Sequence, residues 1–356
     1  MGRKAMNKSS TSRRRRTDGE QESLVDDRFS VLPDHIVQHI LSFLDTKHAV
    51  LFSLVSKKYK NICTSYPNLD FDDRYFKEQD SFADFVTQFF KKKLDGGLKV
   101  GRFSFSCQRY TSIDPARIIN EAVSRQVDHL IVMPDQLWYN LPSNLLTCKT
   151  LQTLSLKQVE LPGWFRFTTI TTLFLTSCSF FEGEFDVGLR CPNLTTLTLV
   201  GCNFVALKVS SGSKLVKLSI DSIVCEKVEI SAMELSVLRI KQHFCTMDFT
   251  GFNLPSLKTA MVDLEAHTSD GDYDKLHKFL KWFGREASCV ETFPTSSEIE
   301  AFIKNHQSVL GSIKDKKGRC WQYMLGTRKA AAQSRFGNFV GGVEAKTKST
   351  GRRSAQ

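Results

Sequence analysis

Residues 194–204 read LTTLTLVGCNF, and residues 151–161 read LQTLSLKQVEL. Both stretches place leucine at relative positions 1, 4 and 6, a Cys or Val at position 9, and another apolar residue at position 11. The apolar triplet of positions 1, 4 and 6 recurs seven times, with starts 19 to 24 residues apart. The seven triplets are Val127/Leu130/Val132, Leu151/Leu154/Leu156, Ile170/Leu173/Leu175, Leu194/Leu197/Leu199, Leu215/Leu218/Ile220, Leu235/Leu238/Ile240 and Leu257/Ala260/Val262.

This pattern is the frame of leucine-rich repeats, in which each unit predicts a short strand. Alternate side chains of each strand point inward, and because no unit can bury its apolar face alone, neighbouring units must stack. We therefore predict a leucine-rich-repeat solenoid of about seven repeats over residues 73–265. Position 9 turns the chain inward, which makes Cys178 and Cys202 core residues rather than metal ligands. His243 occupies the same position.

Segments on both sides of the repeats predict helix. Residues 80–94 carry apolar side chains at helical spacing, and residues 98–105 alternate like a strand. We therefore predict that residues 73–126 form an N-terminal cap and an irregular first repeat. Beyond the repeats, residues 266–313 combine helical spacing with a capping box at Ser297 and Glu300, which predicts a helical C-terminal cap.

Three further short helices are predicted within residues 28–72. Pro33 suits the start of the first helix, Asp45 can cap the second, and the third runs from Ser56 to Thr64. Helices this short, in about 40 residues, bury little surface alone and need a partner or a neighbouring domain. The sequence thus predicts an α/β chain in which a three-helix docking module precedes the solenoid.

The charge of the chain is concentrated at its ends. The 356 residues carry a net charge of +11, yet residues 1–16 alone hold seven Lys/Arg and no acid. Residues 314–356 hold eleven Lys/Arg and two acids, so that residues 17–313 carry −5. We predict disordered basic tails at 1–27 and 314–356, and we do not expect a domain face that binds nucleic acid. The run Arg13–Arg16 is compatible with a nuclear-import signal or with a solvated tail.

No motif predicts catalysis, a cofactor or a metal. The ten cysteines include no CxxC pair, and we expect buried, reduced thiols in a protein of the nucleus or the cytoplasm. Nucleotide-binding, hydrolase and metalloprotease motifs are absent from the sequence, and His35 and His39 have no evident third ligand. No apolar stretch is long enough to cross a membrane. We therefore expect a non-catalytic binding protein.

Residues 28–72, which include VLPDHIVQHILSFLDTKHAVLFSLVSKKYKNIC at 31–63, closely resemble the plant F-box. The segments SFADFVTQFFKKKL (81–94), INEAVSRQVDHLIV (119–132) and LPSNLLTCKTLQTLSLKQVELP (141–162) are similar to plant F-box/LRR proteins of the FBD-like group. This resemblance spans about residues 28–290. It implies a substrate-recognition subunit of an SCF-type cullin–RING ubiquitin ligase. The F-box of such a subunit docks on a Skp-type adaptor, which links it to the cullin and RING subunits.

The resemblance also implies which residues contact the adaptor. They are Leu32, Pro33, Ile36, Ile40, Leu41, Leu44, Val50, Leu54, Val55 and Tyr59. The family has Trp-Arg and then Trp in the third helix, where this sequence has Tyr59-Lys60 and Cys63. Loss of a large aromatic there predicts weaker adaptor binding, and it leaves open an alternative function as a repeat scaffold that acts independently of a ligase.

The sequence does not name a target protein. Solenoids bind partners through non-core residues of their strands and loops, and Lys157, Thr176, Asp221 and Lys241 hold such positions. We predict that these four residues belong to a surface for a protein substrate. Capture of a phosphorylated target would require a cluster of Arg and Lys side chains on that surface.

Overall fold

Three helices open the fold, as the sequence predicts. We describe residues 32–93, 100–109, 113–135, 138–243, 248–265 and 290–292 of a computed structural model. The helices are α1 (Asp34–Leu41), α2 (Thr46–Phe52) and α3 (Lys57–Ser65). Pro33 lies at the N-cap of α1. The Asp45 carboxylate accepts the backbone N–H of His48, and the Ser56 hydroxyl accepts that of Tyr59, which caps α2 and α3.

A ten-stranded parallel sheet follows, and it contains every predicted repeat. Its strands, in spatial order, are β1 (Asn68–Asp72), β2 (Arg102–Cys107), β3 (His129–Pro134), β5 (Thr153–Lys157), β7 (Thr172–Thr176), β9 (Thr196–Val200), β11 (Lys217–Asp221), β13 (Val237–His243), β15 (Thr259–Glu265) and β16 (Val290–Thr292). The seven predicted triplets correspond to β3 through β15. The register runs from β1 to β15 without a shift.

Two strands lie inside ranges for which only helices were predicted. Strand β1 lies inside the range predicted for the helical module, because Leu69 and Phe71 alternate into the solenoid core. Within residues 266–313, predicted to be a helical cap, the described residues 290–292 form a strand beside β15. The rest of that range and the two predicted tails lie outside the described residues.

A second parallel sheet, which the sequence analysis missed, closes the other side of the solenoid. It consists of β4 (Tyr139–Asn140), β6 (Val159–Glu160), β8 (Ser179–Asp186), β10 (Asn203–Val209), β12 (Lys227–Ser231) and β14 (Asp248–Asn253). Helix α4 (Gln79–Lys93) is the predicted amphipathic helix, and α5 (Pro115–Ser124), α6 (Ser143–Leu146) and α7 (Val187–Arg190) are short. The solenoid is therefore a two-sheet structure with few helices.

The core lies between the two sheets. Leu154, Leu173, Leu197 and Leu218, at position 4 of successive triplets, have almost no exposed surface. The residues at positions 9 and 11 point into the same core from the second side. They are Val159, Leu161, Cys178, Phe180, Cys202, Phe204, Ile223 and Cys225. Stacking in this way buries the apolar side of every repeat against its two neighbours.

A left-handed residue ends each of four successive strands of the ten-stranded sheet. Gln158, Ser177, Gly201 and Ser222 have φ between 49° and 59°. Their backbone N–H groups donate to the end of the next strand in the sheet, for example Gly201 to Asp221 at 2.8 Å. This conformation turns the chain from one sheet toward the other, and it is costly for any residue except glycine.

We expect Gly201→Ala to lower the free energy of unfolding by about 1 kcal/mol. An added Cβ would lie 3.6 Å from Ser177 Oγ and 4.0 Å from Ser177 N, which are ordinary contacts. The cost therefore comes from the backbone at φ +59° rather than from a clash. Gly212→Ala is the matched control, because no atom lies within 4 Å of its Cβ position and its φ is not left-handed. Equal effects of the two substitutions in urea denaturation would contradict this account.

Candidate functional site

The first candidate surface is the apolar face of the three helices. Pro33, Ile36, Leu54 and Val55, all predicted to contact an adaptor, are exposed. Leu54 is the most open of them, with 77% of its surface exposed. Leu32, Ile40 and Leu44 are half-buried. Phe43 and Leu51 are also exposed, although the sequence analysis did not select them.

Three of the predicted contact residues pack against the hydrophobic cores of the chain itself. Leu41 and Tyr59 have no exposed surface and form the small helical core with Val37 and Ile62. Val50 packs against the core of the solenoid. Leu41 and Tyr59 are therefore placed in the interior, whereas Val50 keeps part of its surface exposed. Helical spacing identifies an apolar stripe, but it does not say which neighbour covers that stripe.

Tyr59 therefore acts through packing. Its ring stacks on that of Phe52, with 4.8 Å between the ring centroids. Cys63, the second departure from the family pattern, is half-buried against the same core. The aromatic substitution in α3 thus changes the interior of the helical module at Tyr59 rather than its exposed face.

The helical module is joined to the solenoid through α2. The Thr46 hydroxyl accepts the backbone N–H of Asp70 at 2.7 Å. The Lys47 ammonium donates to the Tyr75 carbonyl at 2.5 Å and lies 4.2 Å from the centroid of the Phe76 ring. These contacts, with Val50 in the solenoid core, fix the module against the first strand of the sheet.

A buried carboxylate holds the loop that receives Lys47. Asp73 is 1% exposed and accepts the backbone N–H groups of Gln108 and Arg109, at 3.1 and 2.9 Å. The Arg109 guanidinium lies 3.4 Å from the same carboxylate and donates to the Phe76 carbonyl at 2.7 Å. We call the contact between Asp73 and Arg109 the clamp. Its two residues are 36 positions apart, and no local pattern in the sequence indicated it.

The second candidate surface is the solvent side of the ten-stranded sheet, which we call the outer face. It consists of the strand residues that alternate with the buried leucines. Parallel register places Lys157, Thr176, Val200, Asp221 and Lys241 side by side in one row across five strands. The structure thus brings the four predicted substrate residues together, and Val200 completes their row. Lys157 forms an ion pair with Asp135.

Four of the described buried cysteines in the solenoid are kept protonated. Burial raises the pKa of the Cys107, Cys191 and Cys225 thiols to about 12. A hydrogen bond with Cys202, together with burial, raises the pKa of Cys178 well above its ordinary value. A thiol in this state is a poor nucleophile at neutral pH.

We expect iodoacetamide at pH 9 to leave Cys107, Cys191 and Cys225 unmodified in the native chain. Their pKa values of about 12 leave little thiolate at that pH, and their side chains are out of contact with solvent. Peptide mapping by mass spectrometry checks this, with urea-unfolded protein as the reference and the half-buried Cys148 as the internal control. Rapid native modification of Cys191 would contradict the packing described.

The described residues contain no candidate metal site and no membrane-spanning helix. No three His, Cys, Asp or Glu side chains come together there in a way that could hold a metal ion. His35 and His39 are exposed on α1. In the same part of the chain, no helix combines the length and the apolar character needed to cross a membrane.

Comparison with known proteins identifies the family. The family model described as the F-box domain matches residues 29–71. F-box/LRR-repeat protein At3g58900 of Arabidopsis thaliana is 30% identical over 262 residues, which cover 67% of this chain and 80% of that protein. The chain belongs to the plant F-box/LRR-repeat proteins. The three-helix module is accordingly its F-box, and the two-sheet solenoid is its repeat domain.

Other relatives match shorter parts of this F-box/LRR-repeat protein. F-box/LRR-repeat protein At3g59200 of A. thaliana is 37% identical over 142 residues, or 36% of this chain and 26% of that protein. FBD-associated F-box protein At3g52670 of the same plant is 33% identical over 168 residues, or 45% of this chain and 39% of that protein. Each of these two alignments spans less than half of the relative, so it says nothing about the rest of that protein.

Proposed function

We propose that this chain is the substrate-recognition subunit of an SCF-type cullin–RING ubiquitin ligase. The F-box docks on a Skp-type adaptor, which connects it to the cullin and RING subunits, and the outer face of the solenoid binds the protein to be ubiquitinated. The observation that carries the proposal is the exposed apolar face of the F-box. Five of the thirteen exposed large hydrophobic side chains among the described residues fall between positions 36 and 55. Such a concentration marks a surface that a partner covers.

The mechanism follows from holding two proteins together. Ubiquitin transfer is performed by the partner subunits, and this chain raises the effective concentration of the target beside them. The contacts of Thr46 and Lys47 with the solenoid make the F-box and the repeats one mechanical unit. The target would therefore be presented in a constant orientation relative to the adaptor.

The alternative of a ligase-independent repeat scaffold rests on the departures at Tyr59 and Cys63. Tyr59 is a core residue stacked on Phe52, so its identity leaves the exposed apolar face unchanged. We favour the ligase function for that reason. We also propose that the protein acts in the nucleus or the cytoplasm, where its buried thiols would stay reduced.

Binding of a purified Skp-type adaptor to the full chain tests the proposal. We expect Leu54→Ala/Val55→Ala to weaken that binding by at least about 30-fold, which is the loss typical of a residue that dominates an interface. Both side chains are exposed, at 77% and 61%, so the substitutions should leave the F-box folded. Isothermal titration calorimetry measures the affinity.

Leu189→Ala is the matched control. Leu189 is 60% exposed but lies on the solenoid, so its loss should leave adaptor binding unchanged. A folded wild-type chain that shows no adaptor binding would refute the ligase function and would favour the scaffold. Binding that is equally insensitive to both variants would place the adaptor surface elsewhere.

A further inference from the structure

One part of the outer face carries two cations for which the described residues provide no ion pair. Arg239 is half-buried in the middle of β13, and its guanidinium has a sulfur acceptor, Met261 Sδ, at 3.3 Å. Among the described residues, no carboxylate pairs with Arg239. Lys217 on β11 is exposed, and it also forms no ion pair with a described residue. An arginine that is partly desolvated without an anion is a natural anchor for an external carboxylate.

The register places these two cations close together. Ser219 pairs with Arg239 and Lys217 pairs with Val237, so that Lys217 and Arg239 are diagonal neighbours on adjacent strands. A strand spacing of about 4.8 Å and a rise of about 3.3 Å per residue put their Cα atoms about 8 Å apart. Lys241, two residues beyond Arg239, has Asp221 and Asp263 beside it in register, and we leave it out of the site.

An apolar position lies on the same row of the outer face. Phe174 on β7 is 37% exposed, and among the described residues it is the exposed large hydrophobic side chain of this face. Register connects it through Thr198 and Ser219 to Arg239. Three strand spacings make the separation about 14 Å. The small hydroxyl side chains between the two ends leave a path on which an extended segment could lie flat.

We propose that the outer face binds an extended acidic segment of the target protein. An apolar side chain of that segment packs on Phe174, and a carboxylate four or five residues away pairs with Arg239, because an extended chain covers about 14 Å in that number of residues. Lys217 takes a second carboxylate. This inference rests on the proposed function and adds the chemistry of the target.

Charge complementarity favours carboxylates over a phosphorylated residue. A phosphate dianion that orders a segment is typically met by a cluster of arginines. One guanidinium and one ammonium on residues whose Cα atoms are about 8 Å apart instead match two carboxylates on alternate residues of an extended chain, which are separated by about 7 Å. The cations also stand out locally, because residues 17–313 as a whole carry −5.

Selection of random 12-residue peptides displayed on phage, against the full chain bound to its adaptor, tests the inference. We expect the selected peptides to share an Asp or Glu four or five positions from an aromatic or aliphatic residue. Arg239→Gln should weaken binding of the best synthetic peptide by about tenfold, in keeping with a central charged contact. Lys217→Gln should weaken it less and should reduce its dependence on salt.

Control measurements distinguish a failure of the acidic-segment inference from a loss of folding or of adaptor binding. Lys149→Gln changes an exposed lysine away from the outer face and should leave peptide binding intact. Adaptor affinity and thermal unfolding, measured on the same preparations, show whether the F-box function and the fold are preserved. Failure to enrich any peptide while the adaptor binds would overturn the acidic-segment inference alone. A phosphoserine peptide that binds at least tenfold more tightly than its Asp/Glu counterpart would overturn the choice of carboxylates.

Discussion

Phe71→Ala should lower the free energy of unfolding by about 3–5 kcal/mol, the range for removal of a buried phenylalanine. Phe71 is 1% exposed on β1. Its ring lies 5.2 Å from that of Phe89 and 5.9 Å from that of Phe90, both on α4. On the other side it lies 5.6 Å from Phe103 on β2. Truncation would leave a cavity where the first helix of the solenoid meets its first two strands.

Phe174→Ala provides the matched control for this prediction. Phe174 is on β7 and is 37% exposed, so its removal should cost less than about 1 kcal/mol. Urea denaturation followed by circular dichroism measures both variants, and equal slopes with denaturant would show that the unfolded states are comparable. A similar loss for both residues would mean that the aromatic cluster around Phe71 does not stabilise the fold.

Asp73→Ala should lower the free energy of unfolding by about 3 kcal/mol. The variant would leave the part-buried N–H groups of Gln108 and Arg109 without their acceptor, and a buried donor without a partner costs about 1–3 kcal/mol. It would also remove the ion pair with Arg109. The loop that holds Lys47 of the F-box would then lose its support.

A double-mutant cycle with Arg109→Ala isolates the clamp. We expect a coupling free energy of about 1–2 kcal/mol between the two residues, since they share hydrogen bonds to the same loop. Asp114→Ala is the control, because Asp114 caps α5 at an exposed position and accepts the Ala116 N–H at 2.9 Å. Additive effects of Asp73→Ala and Arg109→Ala would argue against a clamp.

The repeat domain could be located from the sequence because its signal is repeated. Seven apolar triplets in one phase predicted seven strands, and each triplet lies where a strand of the ten-stranded sheet is found. The second sheet was missed because its strands are uneven. Strand β6 has two residues, and the pairing of β10 with β8 shifts between Phe204 and Ala206. Alternation in the NFVALKV segment of β10 was the available clue.

The candidate sites were only partly predictable. Helical spacing put Ile36 and Leu41 among the apolar residues of the first helix and Tyr59 on the apolar side of the third. The structure places Ile36 outside and the other two in the core. The clamp between Asp73 and Arg109 depends on β1 and β2 becoming neighbours, which no local pattern shows. Arg239 became a candidate only when the register placed it between Ser219 and Met261, its uncharged neighbours on the two adjacent strands.

The unbroken register of the ten-stranded sheet also makes the solenoid a spacer of set length. Seven strand steps separate β1, beside the F-box, from β13, and at about 4.8 Å each they amount to about 34 Å. A tilt of about 10° where α2 meets β1 would move the far end by about 6 Å over that lever arm. In the proposed ligase, the bound target would present only some of its lysines to a charged ubiquitin carrier. The number of repeats and the stiffness of the joint at Thr46 and Lys47 would determine which ones.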